Sequence, residues 1–224
     1  MSWRELTFSH VLSAVSAVAM VVALYLVFLV APREATMGDV QRVFYFHVSV
    51  AWTGYLALLV AFLASLLYLL RRERRWDRLA LSSVESGLVF VTAGIISGSI
   101  WAKATWGAWW TWDPRLTTSA VLWLIYASYL TLRQAIQGET RRARLAAVYS
   151  VVGFVAVPIN FMAIRWWRTV HPVVFESAGF HLAPAMLAIL LFCIATFSLL
   201  YFTLLCYRLR LQQMSEQMQQ LKRW

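Results

Sequence analysis

A bundle of six membrane-spanning helices with a tryptophan-rich outward loop is the fold this sequence predicts, and three observations predict it. Of the 224 residues, 61% are hydrophobic and only 13% are charged, against roughly a quarter charged in a soluble domain. The apolar residues gather into six runs, at about 10–31, 47–70, 84–102, 116–133, 145–164 and 184–207, each close to the ~20 helical residues that cross a hydrocarbon core of about 30 Å. Apart from Glu85 and Arg133, each at the end of a run, the charged residues lie between or beyond the runs. The chain therefore reads as an all-α integral membrane protein, a single membrane domain over 1–224 with a polar tail at 208–224. Helices are favoured over strands because no strand-length alternation occurs and an open sheet cannot satisfy its backbone in lipid.

The connectors are of two kinds. One is short and basic: Arg71 to Arg78, then Arg133 with Arg141, Arg142 and Arg144, then Arg208, Arg210, Lys222 and Arg223; with Arg4 these hold 14 of the 20 Lys and Arg. The positive-inside rule puts that side, and both termini, in the cytoplasm. The formal charge of +10 is thus explained by orientation in the bilayer, and nucleic-acid binding is disfavoured. Cys193 and Cys206 fall in the last apolar run without CxxC or Cys/His spacing, so neither a disulfide framework nor a zinc site is supported. The first run, led by Arg4, continues too far for a signal peptide and reads as a retained span.

Within the runs, Ser82 and Glu85 have the spacing of a capping box at the start of the third span. Gly94 and Gly98 form a small-xxx-small pair that admits a neighbouring helix. Pro158 interrupts the fifth span, and Asn160 beside it is placed to bond the freed backbone.

The outward connectors, 32–46, 103–115 and 165–183, carry the candidate chemistry. Trp106, Trp109, Trp110 and Trp112 crowd into seven residues, broken by Gly107 and stopped by Asp113-Pro114. One or two interfacial tryptophans would be anchors; four in one loop form an aromatic surface suited to a large planar ligand, with Gly107 allowing close backbone approach. Asp113 reads as the residue that turns and caps the chain into span four. Two histidines, His47 at the mouth of span two and His171 in the last outward connector, share that side, and imidazole is the usual axial ligand of heme iron. His181 competes for the same role, while His10 lies on the wrong side. The outward cations Arg42, Lys103, Arg115, Arg165 and Arg168 are available to heme propionates, or snorkel at the headgroups.

The segment Thr105-Trp106-Gly107-Ala108-Trp109-Trp110-Thr111-Trp112-Asp113-Pro114-Arg115-Leu116-Thr117 resembles the WWD signature of the heme-handling proteins of cytochrome c maturation. Six spans and this length are similar to the CcmC branch rather than the longer CcmF and CcsA. Gly38-Asp39 leading to Arg42, Tyr45 and His47-Val48, and Trp166-Trp167 with His171, resemble its two histidine segments. Ser49 stands where that family often has proline. The resemblance implies that His47 and His171 are the axial ligands of heme b, that Trp106, Gly107, Trp109, Trp110, Trp112 and Asp113 form the platform, and that Arg115, Arg42 and Arg168 complete the site. It also implies heme transfer at the periplasmic face of the bacterial inner membrane to the chaperone CcmE, in a complex with the ABC-type subunits CcmA and CcmB and the small subunit CcmD. The chain carries no GxxxxGK[ST], so it is expected to be no enzyme and any ATPase to be a partner. The other reading weighed, a transmembrane transporter for heme or a small molecule, predicts ionisable residues or broken helices at mid-membrane depth, and apart from Pro158 and Asn160 the spans lack them.

Overall fold

A computed structural model describes residues 3–35, 37–172, 175–176, 179–180 and 182–221. Each apolar run becomes a helix: α1 (Trp3–Tyr25), α2 (Arg42–Arg71), α3 (Arg74–Trp106), α4 (Pro114–Ala135), α5 (Glu139–Gly153), α6 (Ala156–Trp166) and α7 (Pro184–Leu221). The fifth span is α5 and α6 together. The chain is an all-α, multi-pass membrane protein: five segments, Phe8–Val30, Asp39–Arg71, Arg74–Trp106, Glu139–Trp166 and Pro184–Ser215, are long and apolar enough to cross a bilayer. Helix α4 has the length of a sixth, 22 residues, but Arg115, Thr117, Thr118 and Ser119 make its first turns polar. The sole strands among the described residues are the two-residue pair β1 (Phe175–Glu176) and β2 (Gly179–Phe180), antiparallel in the connector before α7.

Helices α2 and α3 form the central hairpin, because small residues let their backbones meet. A Cβ on Gly54 would fall 3.0 Å from the Val91 side chain and 3.3 Å from its backbone nitrogen, and one on Gly87 would fall 3.1 Å from both Ala57 and Leu58. Without a hydrophobic drive between helices in lipid, such close packing is what holds them. On one flank of α2, Phe44 and Tyr45 pack with Ala23 and Val27 of the first span and Leu190 and Cys193 of α7. On the other, Leu58 and Val91 pack with Leu122 and Tyr126 of α4, Ala146 of α5 and Val157 of α6.

Two details differ from expectation. Helix α3 begins at Arg74, well before Ser82, so Ser82 and Glu85 are not a helix start; Ser82 is buried, and Glu85 takes both oxygens to Arg208 of α7 at 2.6 and 2.7 Å. The charged turn Arg74–Arg78 stays helical because backbone hydrogen bonding does not stop at the lipid boundary. At the α5–α6 break, the Phe154 carbonyl that Pro158 cannot bond is taken by the Val157 N–H at 2.9 Å, which leaves Asn160 free for other partners. The basic end of the bundle is tied by a two-pronged pair, Arg133 to Asp77 at 2.6 and 2.9 Å.

Candidate functional site

The candidate site lies at the opposite end, where α2, α3, α4 and α6 open into a cleft lined by His47, Trp101, Trp106, Trp110, Arg115 and His171, apolar walls with a few convergent polar groups. His47, one turn into α2, projects against α3. Its Nδ1 is 3.1 Å from the Gly94 carbonyl and 3.3 Å from the Ser97 hydroxyl. A carbonyl only accepts, so Nδ1 carries the proton and Nε2 keeps its lone pair. Gly98 makes the room: a Cβ there would fall 2.8 Å from Cε1 of His47. The sequence pair Gly94/Gly98 therefore serves the histidine, one by its carbonyl and the other by its missing side chain.

His171 comes from the far connector and arrives beside His47, with ring centroids 6.3 Å apart and planes at 46°. Its Nδ1 also lies 3.1 Å from a carbonyl, that of Pro172, so its Nε2 is likewise the nitrogen left to accept. Burial above all, then the Arg115 charge and His47 nearby, push the His171 pKa down to about 4, and the imidazole is neutral at physiological pH. Two neighbouring imidazoles, each with Nδ1 turned to a carbonyl and Nε2 left to accept, are a donor set that fits iron.

Asp113 explains how a loop residue is held so closely. As the N-cap of α4, its Oδ2 accepts from the Arg115 N–H at 3.1 Å, a bond worth about 1 kcal/mol. The same carboxylate accepts from the Thr169 hydroxyl at 2.5 Å and, through Oδ1, from the Val170 N–H at 3.1 Å. Thr169 in turn accepts from the His171 N–H at 3.0 Å. The cap expected from sequence is present; its grip on the second histidine segment is new.

The aromatic residues divide into two groups. Trp106 and Trp110 line the cleft together with Trp101. Trp101, 4% exposed, lies 6.4 Å from both His47 and His171 and 5.9 Å from Trp106. Trp109 and Trp112 face outward, 58% and 78% exposed, with Trp112 edge-on to Trp110 at 5.8 Å. Gly107 takes φ +75° as the C-cap of α3, with no atom within 4 Å of a built Cβ; the turn itself requires glycine there. The indole N–H groups of Trp101 and Trp110 are buried without a protein acceptor, two donors left over in the cleft wall.

Among the candidate cations, Arg115 alone lines the cleft among the described residues. Its guanidinium donates to the Asn160 carbonyl and lies 5.9 Å over the Tyr55 ring. Arg42 pairs with Asp39 at 3.2 Å, Lys103 donates to the Gly107 carbonyl at 2.9 Å, Arg165 lies over Phe161, and Arg168 is exposed. His181 lies outside the described residues. Asn160 and Tyr55, which sequence reading left without a site role, form the cleft floor. Asn160 donates to Thr118 and Ser119 at 2.8 and 3.0 Å and accepts from the Tyr55 hydroxyl. The spacing of His47, Ala51 and Tyr55, four residues apart on one helix face, was the signal available for Tyr55.

The chain is similar to known proteins over most of its length. The sequence profile described as heme exporter protein C (CcmC) matches residues 3–223. The chain is 32% identical over 195 residues to heme exporter protein C of Bradyrhizobium diazoefficiens, covering 86% of this chain and 74% of the relative. It is 32% identical over 184 residues to heme exporter protein C of Escherichia coli K12, covering 80% and 73%. It is 30% identical over 149 residues to a ccmC-like mitochondrial protein of cytochrome c biosynthesis from Marchantia polymorpha, covering 66% and 63%.

Proposed function

Starting from a chain that belongs to the heme exporter protein C family, we propose that it holds heme b in the Trp-lined cleft and delivers it to the chaperone CcmE during cytochrome c maturation. Membership in the family carries the coarser statement, a heme-handling component for cytochrome c biogenesis in a multi-pass membrane protein. The observation that supports the finer reading best is the His47–His171 pair, 6.3 Å apart, each with Nδ1 turned to a carbonyl.

In this reading His47 and His171 would hold the heme iron, each offering its Nε2. Heme, when bound, supplies an iron that accepts two nitrogen ligands. Trp106 and Trp110, with Trp101 behind them, give flat apolar faces that exclude water and take the ring by stacking. Arg115 is the cation placed to take a carboxylate inside the cleft, whereas Arg42 and Arg168, which do not line it, are left to reach a carboxylate from outside. Trp109 and Trp112, with the exposed Trp166 and Trp167, present an aromatic rim where CcmE docks. The cleft faces the periplasm, opposite the basic loops and both termini in the cytoplasm of the inner membrane. CcmA and CcmB, with CcmD, supply the ATP-driven step, and surrounding lipid seals the spans.

The test is direct. Protein purified from heme-sufficient cells shows a Soret band and loads CcmE; replacing both His47 and His171 by alanine removes the band and the loading. An unchanged band in the double variant rejects these residues as ligands.

A further inference from the structure

The two histidines are held in different ways. His47 rides on a helix and is clamped by a second helix, whereas His171 sits in a connector and touches fixed structure through few polar contacts. Its backbone N–H donates to the Thr169 hydroxyl at 3.0 Å, and that hydroxyl donates its own proton to Asp113 Oδ2 at 2.5 Å. A hydroxyl has one proton and two lone pairs, so Thr169 does both tasks at once: a turn that closes on the residue two positions on, and a link to the carboxylate at the N-terminus of α4. The Val170 N–H, donating to Asp113 Oδ1 at 3.1 Å, adds a second link from the same segment.

Asp113 lies between the Trp loop and α4, and it is absent from the cleft lining, as is Thr169. Its three acceptor bonds all go to backbone or side-chain groups of this chain. The geometry points to Thr169 as a positioning residue that seats His171 as the second ligand, with Asp113 as the anchor through which the Trp loop fixes it. This rests on the reading of His47 and His171 as ligands and adds an order to it: His47 is the fixed ligand, and His171 is the one set in place by a latch. The anchor ties the loop to the connector, so a partner that displaced the Trp loop would loosen the His171 side first.

The experiment uses the purified full chain titrated with hemin and read by absorption and electron paramagnetic resonance. Thr169→Val, which keeps shape and removes the hydroxyl, lowers hemin affinity by roughly tenfold, since a bond to a charged acceptor is lost along with a neutral one. The bound hemin shifts from six-coordinate low-spin to five-coordinate high-spin, and added imidazole restores the low-spin form. Thr169→Ser, which keeps the hydroxyl, retains the wild-type spectrum. Asp113→Asn combined with Thr169→Val costs no more than the sum of the two less their shared bond, a non-additivity that a loop acting by bulk alone would not give. A wild-type low-spin spectrum and affinity in Thr169→Val, with an unchanged melting temperature, overturns the proposal. A wild-type spectrum in His171→Ala is a different failure, that of the ligand assignment itself.

Discussion

Gly98 lies flat against the imidazole of His47, so close that a single added carbon would come within 2.8 Å of Cε1 and 3.2 Å of Nδ1. Gly94, one turn earlier on α3, has ordinary space, 3.6 Å from the Ala51 backbone, and lends its carbonyl to the same ring. If the two glycines only admitted a neighbouring helix, alanine at either would act alike. Gly98→Ala instead displaces His47 at a cost of about 1–3 kcal/mol, seen as a hemin dissociation constant raised by roughly tenfold or more. Gly94→Ala stays within about twofold of wild type. Hemin titration of both variants checks the contrast, and equal effects would return the pair to simple helix packing.

The tryptophans separate by direction. Trp110 lines the cleft and Trp112 is 78% exposed. Trp110→Ala weakens hemin binding by about tenfold through lost stacking. Trp112→Ala leaves hemin binding within about twofold and slows transfer to the chaperone. Hemin titration beside a chaperone-loading assay distinguishes them; a Trp112→Ala variant that binds hemin as poorly as Trp110→Ala would place both residues on the ligand.

Asn160 is 1% exposed and joins α6 to α4 and α2 through its side chain. Asn160→Leu keeps the volume, strips the Tyr55 hydroxyl of its acceptor and frees Thr118 and Ser119. The expected loss is about 1–3 kcal/mol, read as a lower melting temperature in detergent. No change in melting would mean that these hydroxyls find other partners.

The far end of the bundle offers an independent control. Arg133 and Asp77 form their pair 9% and 19% exposed at the side chain. Asp77→Ala costs roughly 1–3 kcal/mol, less than the ~3–5 of a fully buried pair because Asp77 keeps some solvent. Thermal melting measures it. The Soret spectrum of folded Asp77→Ala is unchanged, because the pair is remote from the cleft.

The membrane-helix class was legible because lipid writes itself into composition: long apolar runs with charge swept to the ends need no tertiary knowledge. The crowding of Trp106 to Trp112 and the cap at Asp113 were legible because they are local. Helix ends were less so. Hydropathy marks where lipid stops, and α3 extends past it to Arg74, which placed Glu85 inside a helix and in reach of Arg208. The pairings that build the cleft span long stretches of chain: Asn160 with Thr118, Asp113 with Thr169, His47 with Gly94. No local pattern encodes these, since each depends on which helix faces are brought together. The division of the tryptophans into cleft and rim likewise depends on how the loop turns at Gly107.

The most direct test of the account is low-temperature electron paramagnetic resonance of hemin bound to the purified chain and to each single histidine variant. The account predicts a low-spin bis-imidazole signal in the wild type, retained in His10→Ala and His181→Ala, and converted to high spin in both His47→Ala and His171→Ala. A low-spin signal that survives the loss of His47 or of His171 would contradict it.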